Sequence, residues 1–220
     1  MVKSYLFDKQ GKIIPIDNFI FDINAASPLN YENIVAAIDK LEGDYLITVT
    51  KNGVVKKSKL SEYEKISKVN TAAKIREDDE LVWAGVAKEN EFLYLLGTSG
   101  GLAKIKVSEI NTTGKNTIGS KGIADTVVCA TVAAEEDKLF TIADGKAKFT
   151  LGSEYNITGK GSKGQTIGDH TTVIARVNKP FYVVENGGKL IYCTLTSFAT
   201  KGKTALGAKL TENLTTQIIV

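Results

Sequence analysis

An apolar stretch ending in alanine occurs four times in the chain: Ile34-Val35-Ala36, Val82-Trp83-Ala84, Val128-Cys129-Ala130 and Val173-Ile174-Ala175. The alanines lie 48, 46 and 45 residues apart, and a further step of 45 reaches Val220, at the end of the run Gln217-Ile218-Ile219-Val220. A strand-like repeat of about 45 residues is typical of a propeller blade.

Each repeat also contains a glycine turn between two apolar runs. The turns are Gln10-Gly11, Asn52-Gly53, Gly100-Gly101, Asp144-Gly145 and Gly187-Gly188. Glycine supplies the positive φ that tight hairpin loops require, so each turn predicts a β-hairpin. A third marker follows the turn: Ser61-Glu62-Tyr63, Ser108-Glu109-Ile110, Ser153-Glu154-Tyr155 and Thr196-Ser197-Phe198. Three markers in phase favour a repeat architecture.

The two ends of the chain suggest how the repeat closes. The N-terminal hairpin has no alanine strand before it, and the C-terminal apolar run has no hairpin after it. We therefore predict an all-β, five-bladed β-propeller (β-pinwheel) closed by the C-terminal strand, with Gln217 to Val220 paired near Tyr5-Leu6-Phe7, because closure removes exposed sheet edges. The prediction is one complete domain, 1–220, with repeat units of approximately 1–33, 34–80, 81–126, 127–171 and 172–220.

Composition excludes several classes of protein. The N-terminus runs straight into charged residues without a signal peptide, and no apolar run is long enough to span a bilayer. The two cysteines, Cys129 and Cys193, lie inside apolar strands, which favours buried thiols in a reducing compartment. We expect a cytoplasmic protein with no membrane partner.

Basic charge is concentrated in equivalent segments of the repeat. Segments 51–68, 104–122, 146–165 and 189–209 together hold 18 lysines and 4 glutamates, a net charge of +14, so the rest of the chain carries −11. Acidic connections such as Asp78-Asp79 are expected to be solvated. A ring with one basic rim is an electrostatic track for a polyanion, whereas the alternative is a solvated lysine surface.

Three of these segments contain glycine- and lysine-rich loops: Thr113-Gly114-Lys115-Asn116-Thr117-Ile118-Gly119, Thr158-Gly159-Lys160-Gly161-Ser162-Lys163-Gly164, and Thr200-Lys201-Gly202-Lys203-Thr204-Ala205-Leu206-Gly207. Glycines let backbone N–H groups approach a phosphate, and the ammonium groups neutralise it without reading base sequence.

Two blade-like stretches carry a resemblance to a known family: Asp44-Tyr45-Leu46-Ile47-Thr48-Val49-Thr50-Lys51-Asn52-Gly53 with Lys56-Lys57 and Ser61-Glu62-Tyr63, and Thr98-Ser99-Gly100-Gly101 with Val107-Ser108-Glu109-Ile110 and Gly114-Lys115-Asn116-Thr117. They resemble blades of the C-terminal β-pinwheel of DNA gyrase and topoisomerase IV A subunits, over about residues 43 to 210. The nearest match to that family's DNA-wrapping heptapeptide, Gln-Arg-Arg-Gly-Gly-Lys-Gly, is the loop 158–164.

The resemblance implies double-stranded DNA as partner, contacted by a repeated set of lysines and loop glycines. These are Lys56, Lys57, Lys104, Lys106, Lys115, Lys121, Lys146, Lys148, Gly159, Lys160, Gly161, Lys163, Gly164, Lys201 and Lys203. The family's rim arginines are mostly lysines here, since the chain has only Arg76 and Arg176. Lysine lacks the bidentate phosphate geometry of arginine, so we expect duplex binding with weak or partial wrapping.

The sequence offers no catalytic constellation. No tyrosine follows an arginine, as the cleavage site of a type II topoisomerase would require, and no Asp-x-Asp metal pattern, Walker motif or Ser-His-Asp arrangement occurs. The single histidine, His170, has no cysteine or second histidine with which to hold a metal. We therefore expect no enzyme activity, no cofactor and no metal.

The first hypothesis is a sequence-nonspecific domain that binds, bends or wraps duplex DNA. The second is a protein-interaction or structural propeller that has lost DNA binding, because a fold does not fix a function. A third is a separated member of a split type II topoisomerase, acting beside the cleavage and ATPase subunits.

Overall fold

The computed structural model describes residues 3–17, 33–167, 171–185, 188–210 and 215–219. These residues form β-strands joined by turns, with three-residue 3-10 turns at Leu60–Glu62, Val107–Glu109 and Gly152–Glu154. The strands are β1 Lys3–Asp8, β2 Lys12–Asp17, β3 Ile34–Ile38, β4 Tyr45–Thr50, β5 Val54–Lys59, β6 Asn70–Thr71, β7 Leu81–Ala87, β8 Phe92–Gly97, β9 Gly101–Lys106, β10 Ser120–Lys121, β11 Val127–Ala133, β12 Lys138–Ala143, β13 Lys146–Leu151, β14 Gln165–Thr166, β15 Thr171–Arg176, β16 Phe181–Glu185, β17 Leu190–Cys193, β18 Ala208–Lys209 and β19 Thr215–Ile219. The all-β prediction is confirmed.

Four of the five sheets in the described residues share one pattern. One edge of each hairpin pairs with the apolar strand that follows the hairpin in the chain. The other edge pairs with a two-residue strand, which comes from the connection after the next hairpin. The orders are β3-β1-β2-β6, β10-β5-β4-β7, β11-β8-β9-β14 and β15-β12-β13-β18, and the last sheet is β17-β16-β19. We call β6, β10, β14 and β18 the exchanged strands.

The predicted closing pair is wrong. Strand β1 already has neighbours on both edges, since Tyr5 is paired with Pro15 of β2 and with Ile38 of β3. Strand β19 instead pairs with β16, in the register Tyr182↔Ile219. The physical reason is that each alanine strand completes the hairpin preceding it, so the first hairpin has its own apolar strand. The sheets therefore follow a different phase from the predicted repeat units; Val220 lies outside the described residues.

Glycine turns set the hairpins, as predicted. Gly53 and Gly145 have φ of 75° and 68°, and Asp144, which precedes Gly145, also has a positive φ of 47°. Two successive positive φ values are those of the type I′ hairpin loop, which matches the right-handed twist of the flanking strands.

Exchanged strands cover the same hairpin position in each four-stranded sheet. Ile13, Val55, Leu102 and Ala147 each lie two residues after a turn glycine, are paired with an exchanged strand, and are at most 2% exposed. Leu190 has the same place in β17 but is 54% exposed, and within the described residues no exchanged strand pairs with β17. The exchanged strand therefore accounts for the burial of this position.

The chain divides into two compact units. The first comprises residues 1–89 and 108–121 and contains the first two sheets, with a core that includes Phe7, Leu46 and Tyr63. The second comprises residues 90–107 and 122–220 and contains the other three sheets. One of its core clusters contains several aromatic rings, and the rings of Phe140 and Phe181 are in edge contact with their centroids 4.8 Å apart.

An aspartate clamps the hairpin turn in two of the sheets. The carboxylate of Asp125 accepts hydrogen bonds from Thr98 Oγ1 at 2.8 Å and from Ser99 N and Oγ at 2.9 and 2.6 Å. Asp79 accepts from Thr50 Oγ1 at 2.6 Å and from Asn52 N at 2.9 Å. Asp79 is thus a structural group, and the expectation of a merely solvated acidic connection is wrong for this residue.

Changing Asp125 to alanine should lower the free energy of unfolding by about 1–2 kcal/mol, because the turn loses charge-assisted hydrogen bonds. Desolvation opposes ionisation of Asp125, but the bonds from Ser99, Thr98 and Thr126 outweigh it and lower the pKa from 3.8 to about 2. Stability from this group is therefore present above about pH 4 and lost as the pH falls towards 2.

Urea unfolding at about pH 7 and about pH 3 measures this effect. The matched control is the exposed Glu136→Ala, which should change stability by less than about 0.5 kcal/mol. Equal losses in the two variants would contradict the clamp.

Candidate nucleic-acid interface

The three glycine- and lysine-rich loops begin at equivalent places on three sheets. Thr113 N donates to Lys57 O, Thr158 N to Lys104 O and Lys201 N to Phe149 O, each at 2.8 Å. The three acceptors occupy the same register position in β5, β9 and β13, opposite Ile47, Tyr94 and Phe140. In each case the loop leads into the exchanged strand of that sheet. The repeat phase in the sequence therefore corresponds to a repeated surface feature.

Loop 158–164 has glycines of two kinds. Gly161 and Gly164 have φ of 74° and 81°, and a Cβ on Gly164 would lie 2.7 Å from the carbonyl carbon of Leu102, so this backbone needs glycine. Gly159, in contrast, has open space around it. Lys160 and Lys163 in the same loop are exposed. The loop thus places two exposed lysine residues on a backbone fixed against β9.

The predicted contact lysines fall into two groups, one accessible and one buried. The accessible group comprises the exposed Lys121, Lys146, Lys160, Lys163 and Lys201 and the half-buried Lys106, Lys115 and Lys203. Some of these donate one hydrogen bond within the chain: Lys121 Nζ to Asn52 O at 2.6 Å and Lys201 Nζ to Leu206 O at 2.9 Å. Because an ammonium has three donors, such a bond leaves capacity for a phosphate.

The buried group consists of Lys56, Lys57, Lys104 and Lys148, which are 3%, 2%, 1% and 8% exposed. The prediction that they contact DNA does not fit these positions, because their ammonium groups bond inside the fold. We assign them a structural role.

Lys104 shows what the buried lysines do. Its Nζ donates to Glu135 Oε1 at 2.8 Å, Gly152 O at 3.0 Å and Tyr155 O at 3.1 Å. It also lies 4.3 Å from the centroid of the Phe92 ring. All three donors are used, so Lys104 fastens the connection that leads into loop 158–164.

Lys148 does the same for the next loop. Its Nζ donates to the carbonyl oxygens of Gly202, Lys203 and Ala205 at 2.9, 2.6 and 2.7 Å. Burial lowers the pKa of Lys148, and the nearby charge of Lys201 lowers it further. Loop 200–207 is thus folded around a buried ammonium.

In the first compact unit, Lys57 pairs with Glu89 at 3.4 Å and lies 4.4 Å from the Tyr45 ring centroid. Lys56 Nζ donates to Ser58 Oγ and, at 2.9 Å, to Ala72 O, next to the exchanged strand β6. Burial lowers the pKa of Lys56 to about 8, although the Glu62 charge opposes this shift.

The two arginines differ in availability. Arg76 is exposed. Arg176 is 3.2 Å from Glu91 through NH1 and 3.0 Å from Asp137 through Nε. Arg176 is therefore engaged in two ion pairs within the second compact unit.

The described part of the chain shows no sign of metal chemistry. No group of three or more His, Cys, Asp or Glu side chains suited to a metal occurs there, and none of its helices is long and apolar enough to cross a bilayer. His170 lies outside the described residues. Cys129 and Cys193 are free thiols, and burial raises the pKa of both.

Repeated four-stranded sheets with exchanged strands define the class as a propeller-type all-β protein of the pinwheel kind. The family model described as DNA gyrase C-terminal domain, beta-propeller, matches residues 44–88, 91–143 and 143–169, and the chain belongs to this family.

Individual comparisons agree with this assignment. The DNA gyrase A subunit of Staphylococcus epidermidis is 33% identical over 223 residues, covering 92% of this chain and 24% of that protein. The DNA gyrase A subunit of Metamycoplasma arthritidis is 30% identical over 162 residues, covering 71% of this chain and 18% of that protein. The chain thus spans about a quarter or less of the length of these relatives.

Solved structures share the fold. The C-terminal domain of DNA topoisomerase IV superposes with a TM-score of 0.80 at 17% identity, covering 99% of this chain and 78% of that one. The DNA gyrase A C-terminal domain superposes with a TM-score of 0.79 at 18% identity, covering 99% and 81%.

Replacing Lys56 with methionine tests the burial of its ammonium. The folded-state pKa of about 8 lies below the ordinary 10.5, so between these pH values the unfolded chain binds more protons than the folded chain. Wild-type stability should therefore rise with pH over this window relative to the variant. Urea unfolding at about pH 7.5 and about pH 10 should give a larger wild-type-minus-variant difference at the higher pH; a constant difference would refute the assignment.

Proposed function

We propose that this chain is a non-catalytic domain that binds duplex DNA without sequence preference, through loops 113–119, 158–164 and 200–207. The observation that carries the proposal is the equivalent attachment of these loops to β5, β9 and β13, with exposed or half-buried lysines in each. Membership of the gyrase C-terminal domain family supports a role in DNA binding or wrapping.

The proposed contacts are electrostatic. Ammonium groups on glycine-rich loops neutralise phosphates and release counterions, which favours any duplex regardless of sequence. The proposed contact residues are Lys106, Lys115, Lys121, Lys146, Gly159, Lys160, Gly161, Lys163, Gly164, Lys201 and Lys203. The buried Lys104 and Lys148 are positioning residues: Lys104 holds the connection that leads into loop 158–164, and Lys148 holds loop 200–207. The buried Lys56 and Lys57 have a structural role in the first compact unit.

The assembly context is also a proposal. We infer that the five sheets are five propeller blades, and that the domain works in the cytoplasm, on the nucleoid, beside the cleavage and ATPase subunits of a type II topoisomerase. The support is that the curated relatives are DNA gyrase A subunits.

The double variant Lys160→Ala/Lys163→Ala should weaken duplex binding about equally for all sequences. It should also flatten the slope of log affinity against log salt by up to about two units, because each lost phosphate contact removes about one. Titration of a labelled random-sequence duplex at several salt concentrations measures both quantities.

The matched control removes the same charge elsewhere. Lys138→Ala/Lys179→Ala takes away two exposed lysines outside the three loops. If this control flattens the slope as much as the loop variant, binding depends on net charge and the loop assignment fails.

Binding and wrapping are separable by linking number. Bending a short duplex costs on the order of several kcal/mol, which contacts between the protein and the phosphates must offset. Lysine contacts a phosphate as a point charge and lacks the bidentate geometry of arginine, so the lysines of this chain offset the bending cost less well. We therefore expect a small shift of one sign when the protein is added to relaxed plasmid with a nicking-closing enzyme. A large shift in linking number, stoichiometric with the added protein, would contradict partial wrapping and support full wrapping.

A second function has one observation in its favour. Tyr182, Leu190 and Tyr192 of the last sheet are 43%, 54% and 58% exposed, and the two tyrosine rings are in contact with centroids 5.3 Å apart. Exposed aromatic groups of this kind are typical of protein-binding surfaces. Absence of duplex binding at low salt would favour such an interaction platform.

A further inference from the structure

A concave cavity of about 280 Å³ lies between the hairpin β12–β13 and loop 200–207 in the second compact unit. Its wall includes Thr141, Asp144, Lys146, Lys148, Lys203 and Leu206. A water molecule occupies roughly 30 Å³ in the liquid, so the cavity can hold a small solute with some of its hydration.

Positive charge prevails in this cavity. Three lysines line it against one carboxylate, Asp144, and a fourth, Lys201, is close enough for its charge to act on Lys148. Lys148 uses its three donors on loop carbonyls and contributes its field. Lys203 donates one hydrogen bond, to Gln165 Oε1 at 3.1 Å, so two donors remain. A cavity with this balance favours an anion over a neutral solute.

A buried hydroxyl adds a second, independent signal. Thr141 is 4% exposed, and its Oγ1 has no hydrogen-bond partner among the described residues. A buried polar group without a partner is costly, so such a group commonly marks the place of a ligand or a bound water. Thr141 is paired with Lys148 across the hairpin and lines the same cavity. An acceptor atom bound there would satisfy the hydroxyl.

We propose that this cavity is a phosphate-binding site, in which the Thr141 hydroxyl and the Lys146 and Lys203 ammonium groups donate to one tetrahedral oxyanion. Phosphate suits the site because it offers several acceptor oxygens and is an anion: inorganic phosphate or a monoester carries nearly two negative charges near neutral pH, and a backbone diester carries one. The phosphate could belong to a free small molecule or to the backbone of a bound duplex; only the second source rests on the proposed function.

Inorganic phosphate is the probe for the first experiment. The thermal midpoint of the full chain should rise saturably with potassium phosphate relative to potassium chloride at matched ionic strength, because a ligand that binds only the folded state stabilises it. Equal midpoints in the two salts would overturn the proposal.

Two variants test the named donors. Thr141→Val keeps the shape and removes an unpartnered hydroxyl, so it should fold with unchanged or higher stability while binding phosphate about fivefold more weakly. Lys203→Gln should weaken binding by about tenfold. The control is Lys179→Gln, an exposed lysine outside the cavity and the three loops, which should bind phosphate as wild type does. Wild-type phosphate affinity in Thr141→Val and Lys203→Gln, or an equal loss in the control, would overturn the site.

Phosphorus NMR titration in the presence of a saturating short duplex distinguishes the sources. Displacement of phosphate by duplex supports a backbone phosphate in the cavity, and simultaneous binding supports a separate small phosphate ligand. Loss of duplex binding with phosphate binding intact would defeat the DNA proposal alone, and the converse would defeat the cavity proposal alone.

Discussion

The pairing of four of the hairpins with an exchanged two-residue strand is the constraint on which the rest of the fold depends. Two residues make few hydrogen bonds, so the exchange needs further support. That support comes from three of the buried lysines, Lys56, Lys104 and Lys148, whose ammonium groups bind carbonyl oxygens of the connecting segments. Removing one partner of a buried, hydrogen-bonded charge is strongly destabilising, so these lysines contribute to the stability of the fold. The backbone of loop 200–207 and the connection into loop 158–164 are thus held in place by the buried Lys148 and Lys104.

Side-chain patterns predict the hairpins because the information is local. Apolar runs on either side of a glycine turn identify strand, turn and strand within about a dozen residues. The sequence does not show which hairpin an alanine strand pairs with. Each alanine strand has a hairpin before it and a hairpin after it in the chain, and the repeat period is the same whichever of the two it joins. The register of the alanine strand also varies. Ala84 and Ala130 lie opposite Thr48 and Leu95, which have equivalent positions in β4 and β8. Ala175 lies opposite Phe140, which is one residue away from the equivalent position in β12. Alanine marks the strand and not the register.

The presence of a lysine in the sequence does not by itself predict whether its side chain lies on the basic surface or is buried. Lys160 and Lys163 lie among glycines in a loop and are exposed, as expected. Lys104 and Lys148 lie within strands, between Ala103 and Ile105 and between Ala147 and Phe149. That apolar context could have signalled burial. Their partners could not have been read from the sequence, because the carbonyl groups they bind are 48 to 57 residues away along the chain.

The exchanged strands also impose an order on synthesis. A sheet receives its fourth strand from a connection that follows the next hairpin, so it cannot be completed until that later segment has left the ribosome. Val55 must wait for Ser120, and Leu102 for Gln165. At about 5–20 residues per second, the delay is roughly 3 to 13 seconds for each sheet. During that interval the hairpin edge is unpaired, which makes the nascent chain, more than the finished protein, the vulnerable stage for wrong pairing between neighbouring polypeptides.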